Sequence, residues 1–456
     1  MPETRLRCHR SVRTGFPAAF ALLLLLACVA RADSPLEDPA ENTRVTVLDN
    51  GLTVLTLEDR TTPVVSFQMW VRVGSRDESR YTGLAHLFEH MMFKGSDNIA
   101  PEEHAKLVEA RGGRLNAFTS RDFTVYFEDI SPESLPLVID LEAERVAHLD
   151  ISEETLSSER EVVLEERRMR TEDSPNGRAF EALLALAFQA HPYRWPVIGW
   201  RSDVERATVE VAREFFDTYY APNNIAIAVV GDFDTGESLE RIRRTFGALR
   251  PMEIPRNPTA EPEQKGERRT VVHLDVRSPL LAAAWHAPPT GHDDGPALDV
   301  LSQILSDGRS SRLYRSLVYE GQVALFAQGS YWELVDAGVF YAFAGVRPGA
   351  SIDDVEHRFF AEIARLRREP VHPTELEKAK RQLEVSLLNG LRTNHALASR
   401  IARDYATFGR IRPLSELLDA IQAVTAEDVQ RVAAEYLVDE AMSVVHVVPP
   451  PDGGET

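Results

Sequence analysis

Residues 45–57 alternate apolar and polar side chains with a turn at Asn50-Gly51, and residues 64–73 repeat the two-residue period, so both segments predict strands. Helical and strand patterns then mix as far as the apolar run 225–230, a further strand. Residues 250–269 carry Pro251, Pro255, Pro258 and Pro262 among polar residues, with no apolar period, and predict a linker. The chain beyond this linker reads as a second copy of the chain before it. Thr208-Val-Glu-Val-Ala-Arg-Glu-Phe-Phe-Asp-Thr-Tyr219, leading into strand 225–230, lines up with Thr425-Ala-Glu-Asp-Val-Gln-Arg-Val-Ala-Ala-Glu-Tyr436, leading into 442–448, at a constant offset of 217. Residues 83–95 pair in the same way with 296–308, keeping Leu87/Val300, Phe88/Leu301, Met91/Ile304 and Met92/Leu305 apolar. The expected architecture is α+β: two homologous domains from an internal duplication, 42–249 and 270–449, each a mainly antiparallel sheet packed with helices.

Composition narrows the function classes. With 456 residues, 43% of them hydrophobic, the chain can bury sizeable cores and is not a disordered or fibrous protein. Its 51 Lys+Arg against 71 Asp+Glu give a net charge of −20, which argues against nucleic acid as the main partner. Arg5, Arg7, Arg10 and Arg13, the apolar run 16–30 and the small-residue site Ala30-Arg31-Ala32 order themselves as a signal peptide over residues 1–32. The mature chain is therefore expected outside the cytoplasm, periplasmic or secreted. Removal of the leader takes away five Arg and one Glu, leaving 46 minus 70, or −24. Cys8 and Cys28 both fall within it, so any metal must be held by His, Asp or Glu. One alternative concerns anchoring: Leu25-Leu26-Ala27-Cys28 also fits a lipobox, in which case Cys28 would carry a lipid and tie the chain to a membrane.

Candidate chemistry sits in His86-Leu-Phe-Glu89-His90. At about 100° per residue His86, Glu89, His90 and Phe93 share one helix face, while Leu84, Phe88, Met91 and Met92 cover the opposite one. Two imidazoles one turn apart can share a Zn²⁺ ion, with Glu89 beside them to take a proton from water. A plain solvated face would show the same period, so a third ligand decides between the two. Residues 152–170 form a charged helix in which Glu159 and Glu166 lie on the apolar stripe with Leu156, Val162 and Val163, whereas Glu161 and Glu165 point away. A carboxylate facing a core is costly unless paired or bound to a cation. The repeat supports the distinction: His86, Glu89 and His90 map onto Asp299, Ser302 and Gln303, and Glu159 and Glu166 onto Ala379 and Ser386, so one half holds a site and the other none.

The His86-Leu-Phe-Glu89-His90 motif, with Glu159-Arg-Glu-Val-Val-Leu-Glu-Glu166 downstream, resembles the inverzincin metallopeptidases of the pitrilysin and insulinase family, in the short branch that includes mitochondrial processing peptidase. The resemblance spans about residues 42–448. It implies one Zn²⁺ per chain held by His86, His90 and Glu166, Glu89 as general base, and Glu159 as an outer carboxylate steadying the site. Gly112-Gly113-Arg-Leu-Asn116-Ala117-Phe-Thr119 resembles the strand such enzymes offer to an extended peptide, with Asn116 and Ala117 touching substrate backbone; a glycine turn into an ordinary core strand is the other reading. His104, His148 and His191 lack a comparable constellation and read as surface or packing residues.

The implied function is zinc-dependent endopeptidase action on unfolded or short polypeptides; its rival is a catalytically silent peptide-binding or scaffold subunit. One departure from the family pattern bears on assembly. Complete members of the family carry an Arg and a Tyr seven positions apart in the later half, which hold the substrate carbonyl and stabilise the oxyanion. Val318 and Leu325 stand there in this chain, and a shifted alignment would recruit Arg315 or Tyr319 instead. The expectation is a related second subunit that supplies the Arg and Tyr, a heterodimer, with a homodimer as the alternative assembly.

Overall fold

The first half of the chain supplies strands β1 (Arg44–Val47), β2 (Thr53–Glu58), β3 (Val65–Val71), β4 (Arg114–Thr119), β5 (Thr124–Ile130) and β6 (Ile225–Gly231). They form one sheet in the order β1-β2-β6-β3-β5-β4, in which only β2 and β6 run parallel. The second half supplies β7 (Arg268–His273), β8 (Leu280–Ala287), β9 (Ala324–Trp332), β10 (Gly338–Val346) and β11 (Met442–Val448), in the order β7-β11-β8-β10-β9, again with one parallel pair, β7 and β11. Apart from the extra strand β1 the two orders coincide, so the α+β duplication is a property of the fold. These features come from a computed structural model that describes residues 38–257 and 259–451. The leader of residues 1–32, with Cys8 and Cys28, lies outside the described residues.

The helices that matter for the site are α1 (Leu84–Met91), α2 (Leu135–His148), α3 (Glu153–Arg167), α4 (Pro175–Ala187) and α5 (Val209–Tyr219) in the first half. The second half has α6 (Gly295–Ser306), α7 (Ile352–Arg368), α8 (Pro373–Asn389), α9 (Asn394–Phe408) and α10 (Ala426–Tyr436). The internal repeat holds at the level of caps: Thr208 accepts from the Val211 amide at the start of α5, and Thr425 does the same for Asp428 at the start of α10.

The central strands of both sheets are buried on both faces, which explains strands with no polar side, while β1, β4 and β7 at the edges keep exposed positions. On β3 and β6, Val65, Phe67, Met69, Ile225, Ile227 and Val229 join the core under α1, α2, α3 and α5. The alternate residues Trp70, Ala226, Ala228 and Val230 meet Leu397, Ala398, Ile401 and Ala402 of α9, a helix of the second half. The exchange is mutual. On β8 and β11, Leu281, Trp285 and Val444 face the second half's own helices, while Leu280, Ala282, Val445 and Val447 meet Ala179, Leu183, Leu184 and Ala187 of α4. Each buried Leu or Ile is worth roughly 1.5–3 kcal/mol, so separating the halves would expose two such helix faces. Packing therefore crosses the 250–269 boundary. That segment has no helix or strand among its described residues before β7, yet it is pinned: Arg256 pairs with Asp77 at 2.8 Å, and Glu261 accepts from the Gln189, Ala190 and His191 amides.

Candidate metal and peptide site

Helix α1 begins where the backbone must pass another backbone. Gly83 adopts φ +91, and a Cβ there would sit 2.7 Å from the Ile198 carbonyl oxygen and 3.0 Å from the Gly199 Cα. The buried Glu78 carboxylate closes the helix start, accepting from the Gly83 and Ala85 amides at 2.8 and 2.9 Å. Leu84, Leu87, Phe88 and Met91 then turn into the core, with Phe88 packed on Phe215, Phe216 and Tyr220. The opposite face, His86, Glu89 and His90, is left for the cleft.

Helix α3 brings the second set of side chains. Ser152 caps it, Leu156 and Val163 anchor it in the core, and Glu159 is buried to 2% exposure. Glu166 Oε2 lies 3.3 Å from His90 Nε2 and 3.7 Å from His86 Nε2. One donor atom from each of the three residues falls within 4.8 Å of the others, an arrangement that could hold a metal ion. His90 Nδ1 faces Glu159 Oε2 at 3.5 Å, and Lys94 Nζ meets the other Glu159 oxygen at 3.1 Å, so Glu159 touches this candidate donor set through His90.

Burial and neighbours divide the titrating groups. Burial and the adjacent His90 push His86 down to about 4, against the pull of Glu166. Burial also opposes charge on His90, but the carboxylates of Glu159 and Glu166 carry it up to about 9. Glu166 is held low by its bond to His90, and Glu159, despite burial, by His90 and Lys94. Glu89 moves the other way: burial raises it, with the Thr119 hydroxyl, donating at 2.7 Å, working against the shift. A carboxylate raised toward neutrality can both take and return a proton.

The cleft around these groups has a volume of about 930 Å³. Its wall includes Asn116, Ala117, Phe118 and Thr119 of β4, the last strand of its sheet, paired only with β5. The Ala117 amide donates to Asn116 Oδ1 at 2.9 Å, so this N–H points to the free edge, where an incoming strand would find it. All the residues expected at the site are thus brought together: His86, Glu89, His90, Asn116, Ala117 and Glu166 line the cleft, and Glu159 stands behind His90. The helical wheel misplaced part of α3: Val162, expected inward, is 46% exposed and lines the cleft, as do Glu161 and Glu165. The site also uses three residues that the motif does not mark: Lys94, Thr119 and Arg170, which pairs with Glu166 at 2.5 Å. Lys94 stands one turn after His90 and Arg170 one turn after Glu166, and these spacings are the local signals for them; Thr119 has none.

The other histidines behave differently from one another. His148 is half-exposed, and His191 is buried beside Asp336 at 3.5 Å. His104, Glu128 and Glu142 form a second buried group whose donor atoms lie within 4.8 Å. There the Arg145 guanidinium, facing both Glu142 and Glu128 and stacked over Tyr126, already supplies a cation, and the group reads as a buried ion-paired knot of the core. In the second half the matching cleft, lined by Gln303, Lys378, Arg381 and Ser386 among others, offers no such donor set among the described residues.

Comparison with known proteins bears on the family and the fold. Residues 53–200 match the model of the insulinase family, peptidase family M16, and residues 206–383 match the peptidase M16 inactive domain. The chain is similar to the zinc protease PqqE of Helicobacter pylori, 32% identical over 97% of this chain and all of that protein. It is 28% identical to a probable mitochondrial-processing peptidase subunit beta of Arabidopsis thaliana, over 90% of this chain and 79% of that one. Among solved structures, a protease from Helicobacter pylori superposes with a TM-score of 0.86 at 32% identity, covering 89% of this chain and 99% of that chain.

Proposed function

The chain belongs to peptidase family M16, the insulinase family, and on that footing we propose that it is an exported zinc endopeptidase that cleaves unfolded or short polypeptides. The observation that carries this reading is the convergence of His86, His90 and Glu166 in a cleft walled by a free strand edge, with Glu89 beside them. Two imidazole nitrogens and one carboxylate oxygen are the donor set of a catalytic zinc site, which keeps a position for substrate. When bound there, zinc supplies Lewis acidity to the scissile carbonyl and to the attacking water.

The chain's own residues do the rest. Glu89 takes the proton of the attacking water and returns it to the leaving amine, and the Thr119 hydroxyl fixes which way its carboxylate points. Glu159 orients His90 through Nδ1, and Lys94 keeps Glu159 charged although it is buried. The free edge of β4, through Ala117 and Asn116, holds an extended backbone and rejects folded chains, which cannot add as a strand.

Export rests on the order of residues 1–32, and the mature protein should begin near Asp33 or at a lipid-modified Cys28; an intact Met1 on functional protein, read by mass spectrometry, would overturn it. A related partner subunit is expected because Val318 packs against the second core and Leu325 is an exposed strand residue, and neither can donate a hydrogen bond to an oxyanion. The same observation favours the rival reading, a silent peptide-binding subunit. Elemental analysis of the purified chain, then a peptide-library digest with and without candidate partners, separates them. The peptidase reading predicts one zinc per chain and cleavage that Glu89→Gln abolishes while the zinc stays. A zinc-loaded chain that cleaves nothing with any partner would make it a silent subunit.

A further inference from the structure

A second cavity opens beside the ligands. It has a volume of about 310 Å³ and shares His86, Thr119 and Glu166 with the metal-site cleft. Phe180, Leu184, Pro196 and Ile198 give it apolar walls. Arg121 also lines it, two residues past the end of β4, and this arginine is only 4% exposed.

The guanidinium of Arg121 is placed but not satisfied. It lies 4.9 Å from the Trp332 ring centre and 5.7 Å from that of Phe180, and it donates through Nε to the Tyr193 carbonyl at 3.4 Å. Among the described residues no carboxylate comes within ion-pair distance of it, and its Nη atoms have no acceptor. Neighbouring acids are already engaged. Asp122 holds Arg76 at 2.9 Å and the Tyr193 hydroxyl at 2.5 Å. Glu181 faces Arg167 at 2.8 Å and Arg178 at 3.4 Å, and Glu166 faces Arg170 and the histidines. A buried cation with free donors is costly unless something arrives to pair with it. A planar fork of that kind matches a carboxylate through two parallel hydrogen bonds.

We propose that this cavity is a carboxylate-selective subsite: it receives an acidic group of the peptide flanking the scissile bond, with Arg121 as counter-charge and the apolar walls around the methylenes. The inference rests on the peptidase reading and narrows its substrate class. The carboxylate has two sources, an Asp or Glu side chain or the free end of a short peptide. The bland role for Arg121, a cation stacked between α4 and β9 that ties the halves together, predicts no dependence on substrate charge.

The test is equilibrium binding of labelled ten-residue peptides to the zinc-loaded full chain carrying Glu89→Gln. One set walks a single Glu through the central positions, its twin carries Gln instead, and each is made with a free and an amidated C-terminus. Glu at one position is expected to bind about tenfold tighter than Gln, Arg121→Gln to erase the difference, and Arg121→Lys to keep part of it. Discrimination only between free and amidated ends would assign the subsite to the chain terminus. Equal binding of all peptides, no binding of any, or a preference that survives Arg121→Gln would overturn the proposal. Hydrolysis is read separately, so a chain that cleaves peptides regardless of charge loses the subsite and keeps the peptidase reading, and a chain that binds the Glu peptide tighter yet cleaves nothing does the reverse.

Discussion

Glu165 and Glu166 share a backbone and little else. Glu166 is half-buried against two imidazoles, whereas Glu165 is exposed and engaged by Arg168 at 2.5 Å. Glu166→Gln is therefore expected to lose bound zinc, measured by elemental analysis after dialysis, while Glu165→Gln keeps it; equal retention would break the ligand assignment. Thr119 gives a finer test of the proposed base, because its hydroxyl donates to Glu89 alone. Thr119→Val should leave zinc content and KM near wild type and lower kcat about tenfold, with Thr119→Ser restoring most of it. A fall in zinc content instead would make Thr119 a structural residue. That His86 and His90 face the same cleft was legible because both sit on one turn of one helix, where spacing fixes the face. Thr119 and Arg121 were not, since their partners come from elements far away in sequence. Val162 shows the limit of the wheel: angle tells which residues share a side of α3, and only packing tells that the groove cuts into that side.

Helix α7 shows how an element is held by charge. Glu356 on α7 pairs with Arg269 of β7 at 2.8 Å and with His446 of β11 at 2.5 Å, joining the helix to the one parallel strand pair of the second sheet. Although burial opposes its ionisation, bonds to His446 and Arg269 bring Glu356 down to about 2. A carboxyl whose folded pKa is depressed stabilises the fold above its unfolded value of about 4.3, and that stabilisation is lost as pH falls from there toward about 2. Glu356→Gln should thus cost on the order of 1–2 kcal/mol of stability at pH 7 for a partly exposed pair, read as a lower apparent Tm, and the gap to wild type should narrow as pH drops from 5 to 3. A gap constant over that range in thermal scans would deny the ion pair its role. Among the elements themselves, the strands at 225–230 and 442–448 were readable to the residue or nearly so, because alternation or an apolar run is a local property. The exchange of α4 and α9 between sheets was hidden. An amphipathic helix declares that it will be covered, and nothing in its own pattern says by which half.

At the scale of the whole molecule the cleft is one-sided. Every residue lining it falls between His86 and Arg170, so among the described residues the second half of the chain adds no side chain to it. The exchange sets the second half's α9 against the first half's strands and the first half's α4 against the second sheet, so neither contact reaches the cleft. A hydrolytic site without a preorganised oxyanion donor forfeits on the order of 10²–10³ in turnover. A second copy of this chain repairs that only through Arg315 or Tyr319, because each copy again presents Val318 and Leu325. Arg315 is paired with Glu320 at 2.6 Å, and Tyr319 is 71% exposed. The isolated chain, monomer or homodimer, is accordingly expected to hydrolyse peptides at roughly a hundredth or less of the rate it reaches with a related, co-exported chain that carries an Arg and a Tyr in the later half. Replacing those two residues in the partner should return the rate to that of the isolated chain, while zinc content and peptide binding stay unchanged. Full hydrolysis by the chain alone, unaltered by any partner and lost in Arg315→Gln or Tyr319→Phe, would transfer the oxyanion role to this chain's own second copy.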